Sequence, residues 1–378
     1  MIEHNFVLPD FQNSIVNLAA TLSNFLGNQP QHPILPNLAS KLDSKTKNIV
    51  YLVVDGMGDR ILAKHLPSKS FLRSHQIQTV TSVFPSTTAA ATTALTSGLT
   101  SSEHGWFAWM LDFDGEVVEL FRNTNYYTKE LLANPNFIRE KLPYDSFWQN
   151  AQTAHQTYTC FPMPIYKNSA QHNINYTSLR QMLSKLHKTC SQPGQKFIYA
   201  YLPDFDTLMH KYGPNARKVR NYLRRLDRKI AKLVRRTPDT TFIITADHGQ
   251  TEVKGRAEIY CDQAIKACLE HDFAWDARAT SFKIKPGFDQ QFKQAFKKYE
   301  KDFVLFSADA VIKQGILGDF KKHPHLKKYL GDYLAIGTET GKLFLLKEPN
   351  PHKKFKRGTH SGMTPEEMYV PVIVAQGE

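Results

Sequence analysis

KNIVYLVVDGMGD, residues 47–59, runs as unbroken apolar β-formers from Ile49 to Val54 and then breaks at an Asp-Gly pair. A strand that alternates apolar and polar residues has one wet face. A continuous run such as KNIVYLVV (47–54) is buried on both faces, as in a parallel sheet covered by helices. Asp55 stands at the carboxyl end of that strand, the edge of an open α/β sheet where ligands bind.

Working outward from this strand, the same alternation of apolar runs and amphipathic helices recurs. IQTVTSV (77–83) reads as a second strand, stopped by the turn at Pro85. TTAAATTALTSG (87–98) reads as a helix with small residues on all sides and Gly98 as its C-terminal cap. A helix around SFWQNAQTA leads into the strands QTYTCF (156–161) and KFIYAYL (196–202), with Asp204 and Asp206 just beyond the latter. After Gly213-Pro214, a helix carries Val219, Leu223, Leu226, Ile230 and Leu233 at helical spacing, with Arg and Lys opposite. TTFIITA (240–246) ends at Asp247, and VPVIVA (370–375) supplies the last strand of the same sheet. The fold class is α/β, a mostly parallel sheet flanked by helices.

Between His248 and His360 the chain departs for about a hundred residues, far beyond an ordinary loop. SFKIKP, DQQFKQAFKKYE, DFVLFSADAVIKQGIL, DYLAIGT and KLFLLKEP suggest a small inserted α/β cap domain. The expected organisation is a core over 1–250, a cap over 251–355 and a return to the core over 356–378.

The 378 residues carry 48 Lys+Arg against 35 Asp+Glu, a net charge of +13, which favours anionic partners. The basic runs at 217–236, 321–328 and 352–357 read as solvated faces in preference to a nucleic-acid groove. Four cysteines, at 160, 190, 261 and 268, have no zinc-ribbon or disulfide-framework spacing. The N-terminus lacks a secretory pattern, and no apolar run reaches membrane-spanning length, so the expectation is a soluble, cytoplasmic protein. Oligomeric state has no sequence signal.

Five segments place donor side chains at the ends of strands or in turns. They are VVDGMGD with Asp55, FPSTTAAATTALTSG with Thr88, DFDTLMHKYGP with Asp206 and His210, ITADHGQ with Asp247 and His248, and GTHSGMTPEEM with His360. A lone Asp after a strand is usually a turn former and a lone His a satisfied core residue. Together these segments offer three carboxylates and three imidazoles, enough for two divalent ions. Nitrogen and oxygen donors without thiolate suit Zn²⁺, with Mn²⁺ as an alternative. Thr88 lies at the expected helix N-terminus, where free N–H groups favour an alkoxide or a phosphoryl oxygen, and Ser86 and Thr87 compete with it as nucleophile.

These segments resemble the alkaline phosphatase superfamily, and within it the type I phosphodiesterase/nucleotide pyrophosphatase branch. DTLMHKYGP is similar to that branch's Asp-x-x-x-His-Lys-Tyr-Gly-Pro, ADHG to its Ser/Ala-Asp-His-Gly, and SGLTSSEHG to its Thr-Gly-Leu-x-Pro-x-x-His-Gly. GTHSGMTPEEMYVPVIV resembles its final His segment. The resemblance implies that Asp206, His210 and His360 bind one metal and Asp55, Asp247 and His248 the other. It makes Thr88 both a metal ligand and the nucleophile, since the family's nucleophile lies ten residues before the Gly matching Gly98.

It also implies a metal-dependent hydrolase of phosphodiester or nucleotide pyrophosphate bonds, acting on a small anionic phosphate ester through a phospho-threonine. A phosphomonoesterase or phosphonate hydrolase on the same site is the alternative; a non-catalytic binder of anionic surfaces is a third reading. Two departures stand out. Val83 occupies the place before Phe-Pro where the branch has Thr, and HGWFAWMLD lacks the Asn that binds a phosphoryl oxygen. Asn123, Asn125, Arg122 and Lys211 are candidate substitutes for anion binding. Tyr212, Trp106 and Trp109 are candidate base-stacking residues whose ordinary role is core packing.

Overall fold

The computed structural model describes residues 4–43, 46–163 and 170–377. A seven-stranded sheet forms the centre, in the order Gln76–Thr81, Tyr369–Gln376, Thr240–Thr245, Asn48–Val54, Lys196–Leu202, Gln156–Pro162 and His172–Tyr176. Every residue of Asn48–Val54 is buried, as its uninterrupted apolar run requires. That strand pairs in parallel with Lys196–Leu202, Val54 opposite Leu202, and with Thr240–Thr245, Val53 opposite Thr245. Because these three strands run in register, Asp55, the turn before Asp206, and Asp247 emerge at one level of the same edge.

Only the final strand, Tyr369–Gln376, runs against its neighbours, antiparallel to both Thr240–Thr245 and Gln76–Thr81. The edge strand His172–Tyr176 was not expected from the sequence. Its HNINY is polar and mostly exposed, so it lacks the apolar run by which the inner strands announce themselves. Helix Arg217–Arg235 buries Val219, Leu223, Leu226, Ile230 and Leu233 against the sheet, at about 1.5–3 kcal/mol for each large side chain. Its Arg220, Arg224, Arg225 and Arg228 face solvent, as expected of a basic solvated face.

Two local expectations fail. SFWQNAQTA forms only a 3₁₀ turn, Phe147–Asn150, because Phe147 and Trp148 are adjacent and both buried, whereas a surface helix buries positions three or four apart. Asp206 and His210 sit on a helix, Asp204–Tyr212, and not in a turn. Their four-residue spacing then places both on one face.

A second hydrophobic cluster lies apart from the sheet. It contains Ile259, Trp275, Phe282, Phe303, Leu334 and Phe344. A four-stranded antiparallel-paired sheet, Ala274–Asp276, Ala279–Phe282, Tyr333–Gly337 and Phe303–Ser307, organises it. The same cluster takes in Phe107, Leu111, Val118 and Leu142 from an earlier part of the chain, where Met110–Phe113, Glu116–Glu119 and Thr124–Asn125 make a small antiparallel sheet. The second body therefore draws on two stretches of sequence.

Candidate active site

Each candidate donor reaches the carboxyl edge of the sheet by its own element, and the residues collect into two groups. In the first, donor atoms of Asp206, His210 and His360 all lie within 4.8 Å of one another, and the same holds for Asp55, Asp247 and His248 in the second. The rings of His248 and His360 stack at 3.8 Å between centroids, which sets the groups side by side. Nε2 of His210 is 3.2 Å from Asp206 Oδ2, Nε2 of His360 is 3.8 Å from Asp206 Oδ1, and Nε2 of His248 is 3.5 Å from Asp55 Oδ1 and 3.4 Å from Asp247 Oδ2.

The tautomers follow from the backbone. His210 Nδ1 donates to the carbonyl of Gly358 at 2.7 Å, His248 Nδ1 to that of Gly249 at 2.9 Å, and His360 Nδ1 to that of Ser86 at 3.0 Å. A carbonyl can only accept, so in each neutral ring the proton is on Nδ1 and the Nε2 lone pair faces the acids. Fixing a ring through its outer nitrogen is how a metal-binding imidazole is oriented.

The carboxylates tell the same story from the other side. Asp247 Oδ1 accepts from the backbone N–H groups of Gly56 and His248, and Asp55 Oδ2 accepts from the Tyr201 hydroxyl. Among the described residues, Asp55 Oδ1 and Asp247 Oδ2 are buried without a hydrogen-bond donor, and no Lys or Arg pairs with any of the three acids. Burial, then repulsion from Asp247 and Asp206, drives the Asp55 carboxyl well above the usual range. Burial also acts to raise Asp206, but His210, His360 and His248 in their protonated forms outweigh it and hold that carboxyl far below its ordinary value. His360 is pushed well below the ordinary imidazole value by burial and by neighbouring His248. Buried carboxylate oxygens without donors, facing imidazole nitrogens whose lone pairs a cation can take in place of a proton, fit divalent cations.

Thr88 is the first residue of helix Thr88–Ser97, with Thr87 as N-cap and Gly98 in the left-handed conformation at the C-cap, φ 72°. Its hydroxyl lies 3.2 Å from His248 Nε2 and is half-buried, so it is open to a substrate. The competing hydroxyls are both enclosed. Ser86 donates to the Gly362 carbonyl at 2.7 Å, and Thr87 is bonded to the Asp276 carboxyl. Ser86 thereby ties the turn before Thr88 to the loop that carries His360.

Close backbone approach makes two glycines necessary. A Cβ on Gly249 would lie 2.0 Å from the Glu366 carbonyl oxygen, and Gly56 has φ 72° with Met209 and Asp206 pressed against it. Ser361, next to His360, has φ 103°, a costly conformation for a residue with a side chain.

The other candidates for substrate contact are engaged elsewhere. Asn123 donates to the Asn134 carbonyl, Asn125 accepts from the N–H groups of Tyr127 and Thr128, and Arg122 lies between Glu119 and the Trp109 ring. Trp106 is buried, with its indole N–H on the Leu142 carbonyl, and the indole N–H of Trp109 points to Glu119. Lys211 and Tyr212 make a cation–π contact with each other.

Sequence reasoning missed four residues around the acids. Tyr201 and Gln250 hold Asp55 and Asp206, and both had a signal in being within three residues of a candidate ligand or strand end. Asp276 comes from the second body, and Lys356 lay inside a run read as solvated; neither had a signal. Burial pushes the Asp276 carboxyl up, against the Trp109 N–H and the charge of Lys356.

The sequence model of the type I phosphodiesterase / nucleotide pyrophosphatase family matches residues 49–350. Comparison with curated proteins finds no match. Among solved structures, murine ectonucleotide pyrophosphatase / phosphodiesterase 5 is similar at 16% identity and a TM-score of 0.65, covering 87% of this chain and 88% of that one. An inactive variant of the murine protein in complex with AMP gives 16%, 0.66, and 87% of each chain. Phosphonoacetate hydrolase from Sinorhizobium meliloti in complex with phosphonoformate gives 16%, 0.61, and 88% and 91%. These neighbours share its fold, and on the match across residues 49–350 the chain belongs to the type I phosphodiesterase / nucleotide pyrophosphatase family.

Proposed function

We propose that this chain, a phosphoester hydrolase by family, cleaves phosphodiester or nucleotide pyrophosphate bonds through a covalent phospho-threonine on Thr88. In this reading Asp206, His210 and His360 hold one divalent cation and Asp55, Asp247, His248 and Thr88 the other, Zn²⁺ or Mn²⁺ by donor chemistry. When bound, the pair of cations would supply Lewis acidity: a lower pKa for the attacking hydroxyl and charge neutralisation at phosphorus and at the departing oxygen.

The observation that carries the reading is the convergence of three Nε2 lone pairs, each set by a backbone carbonyl, on three buried acids, two of which keep an oxygen without a donor. Thr88, having given its proton to solvent, forms the new bond from Oγ1 to phosphorus. The bond to the departing oxygen breaks, and its electron pair leaves with that oxygen. The free N–H groups at the start of helix Thr88–Ser97 stabilise the phosphoryl oxygens. Water then attacks phosphorus and returns the Thr88 hydroxyl.

The test is an assay with Zn²⁺ or Mn²⁺ on bis-p-nitrophenyl phosphate, p-nitrophenyl phosphate and the p-nitrophenyl ester of thymidine 5′-monophosphate. Metal-dependent turnover, fastest on a diester, is expected. Turnover of the monoester alone would transfer the reading to a phosphomonoesterase, and no turnover of any of the three would defeat it.

A further inference from the structure

Lys356 is the residue whose position the reading above leaves unexplained. It belongs to the exposed run HKKFKR, yet its ammonium is 3.4 Å from His210 Nε2. The backbone around it is fixed. Arg357 N–H donates to the His210 carbonyl at 2.8 Å, Gly358 accepts from His210 Nδ1, and Arg256 donates to the Lys356 carbonyl at 3.3 Å. The next peptide is held too, since Val253 N–H donates to the Arg357 carbonyl at 2.9 Å. The backbone of Lys356 is thus held beside a candidate donor, and its exposed side chain is the one of this run that reaches it.

Position assigns it a side of the reaction. Thr88 touches His248, in the group with Asp55 and Asp247, so attack on phosphorus comes from that side. In-line displacement expels the departing oxygen on the opposite side, toward Asp206, His210 and His360. Lys356 stands on that second side, where its charge also reaches His360. A flexible ammonium placed there meets the departing portion of the substrate and not the phosphorus under attack.

We propose that Lys356 is a specificity-determining residue that favours substrates whose departing portion is already an anion before the bond breaks, a phosphate or pyrophosphate, over those whose departing portion is an aryl or alkyl group that carries no charge until the bond breaks. The inference rests on the phosphohydrolase reading of the site and names its substrate class. A charge-assisted hydrogen bond to an oxyanion is worth about ten- to a hundredfold in discrimination.

The experiment compares kcat/KM of the wild type, Lys356→Gln and Lys356→Arg on thymidine 5′-triphosphate, which releases pyrophosphate, and on the p-nitrophenyl ester of thymidine 5′-monophosphate. Inorganic pyrophosphate binding is measured by calorimetry on Thr88→Ala with and without Lys356→Gln. The expected result is about a tenfold or larger fall in the triphosphate-to-aryl ratio for Lys356→Gln, recovery in Lys356→Arg, and a matching loss of pyrophosphate affinity. Turnover of both substrates with an unchanged ratio and unchanged pyrophosphate binding would overturn the assignment of Lys356 alone. Turnover of neither by the wild type would overturn the reading of the site and this assignment with it.

Discussion

At the scale of single residues, the site separates one open hydroxyl from two enclosed ones. Thr88 is half-buried beside His248 while Ser86 and Thr87 are closed off, so Thr88→Ala should lower kcat by about a thousandfold or more while the melting temperature stays nearly fixed. Steady-state kinetics beside a thermal melt checks both halves. Asp55 gives a proton-linkage prediction. Its carboxyl is raised by burial and by Asp247 and Asp206, so the metal-free native protein holds a proton that the unfolded chain releases above a pH of about 4. The sign is definite: that group's contribution to metal-free stability falls as pH rises from there toward the folded pKa. Since a metal takes the carboxylate, metal uptake should release protons and tighten with pH. Calorimetric titration in buffers of different ionisation enthalpy measures the release; uptake without proton release would contradict it.

At the scale of elements, the loop after His360 is held by a latch from the second body. Arg278 and Glu367 are both fully buried, and they meet through two bonds, Nε to Oε1 at 2.8 Å and Nη2 to Oε2 at 2.9 Å. Arg278 also donates to the carbonyls of Lys342, Gly337 and Thr338, while Glu367 accepts from Gly362 N–H and the Thr364 hydroxyl. With each guanidinium nitrogen and each carboxylate oxygen bonded inside the protein, removing one partner leaves a buried charge. Arg278→Met should cost about 3–5 kcal/mol in urea unfolding, and Arg278→Met with Glu367→Gln distinctly less than the sum of the single changes. Additive losses would mean the pair is not coupled. Gly249→Ala has a similar logic, since a Cβ there would collide with the Glu366 carbonyl and push the Asp247–His248 turn away from the acids. Metal stoichiometry by atomic absorption should fall below that of the wild type.

At the scale of the whole molecule, the two hydrophobic clusters divide the work. The six aspartates and histidines of the candidate centre lie at the edge of the central sheet, and the second body bonds to Thr87 through Asp276 and, through Arg278, holds the His360 loop. We propose that the cap comprises 106–142 as well as the 251–355 insertion, because both stretches share one core. Among the described residues no helix is long and apolar enough to cross a membrane. The charge of +13 acts over the whole surface, so kcat/KM for an anionic ester should drop as salt is raised from about 0.01 to 0.15 M, where the screening length shrinks from about 30 to 8 Å. A salt-independent rate would show that the surface charge does not steer the substrate.

The central strands, the helix that starts at Thr88 with its Gly98 stop, and the long basic helix were legible from residues 47 to 246 because each is written in local pattern: continuous apolar runs, a left-handed cap, 3.6-residue spacing. Which acids and imidazoles belong together came from the resemblance of the ordered segments to a family, not from local pattern; parallel strands ending at one edge say only that the donors are neighbours. Tertiary structure decided what no local pattern encodes. The edge strand His172–Tyr176 is polar and exists through pairing with Gln156–Pro162. Asp206 and His210 lie on one helical face and not in a turn. The tautomers of His210, His248 and His360 depend on carbonyls that lie 148, 1 and 274 residues away along the chain. Lys356 and Asp276 reach the centre only because loops from distant parts of the sequence close over it. Periodicity reports which face of an element is buried; it does not report what that face meets, and the chemistry of this site lies in those meetings.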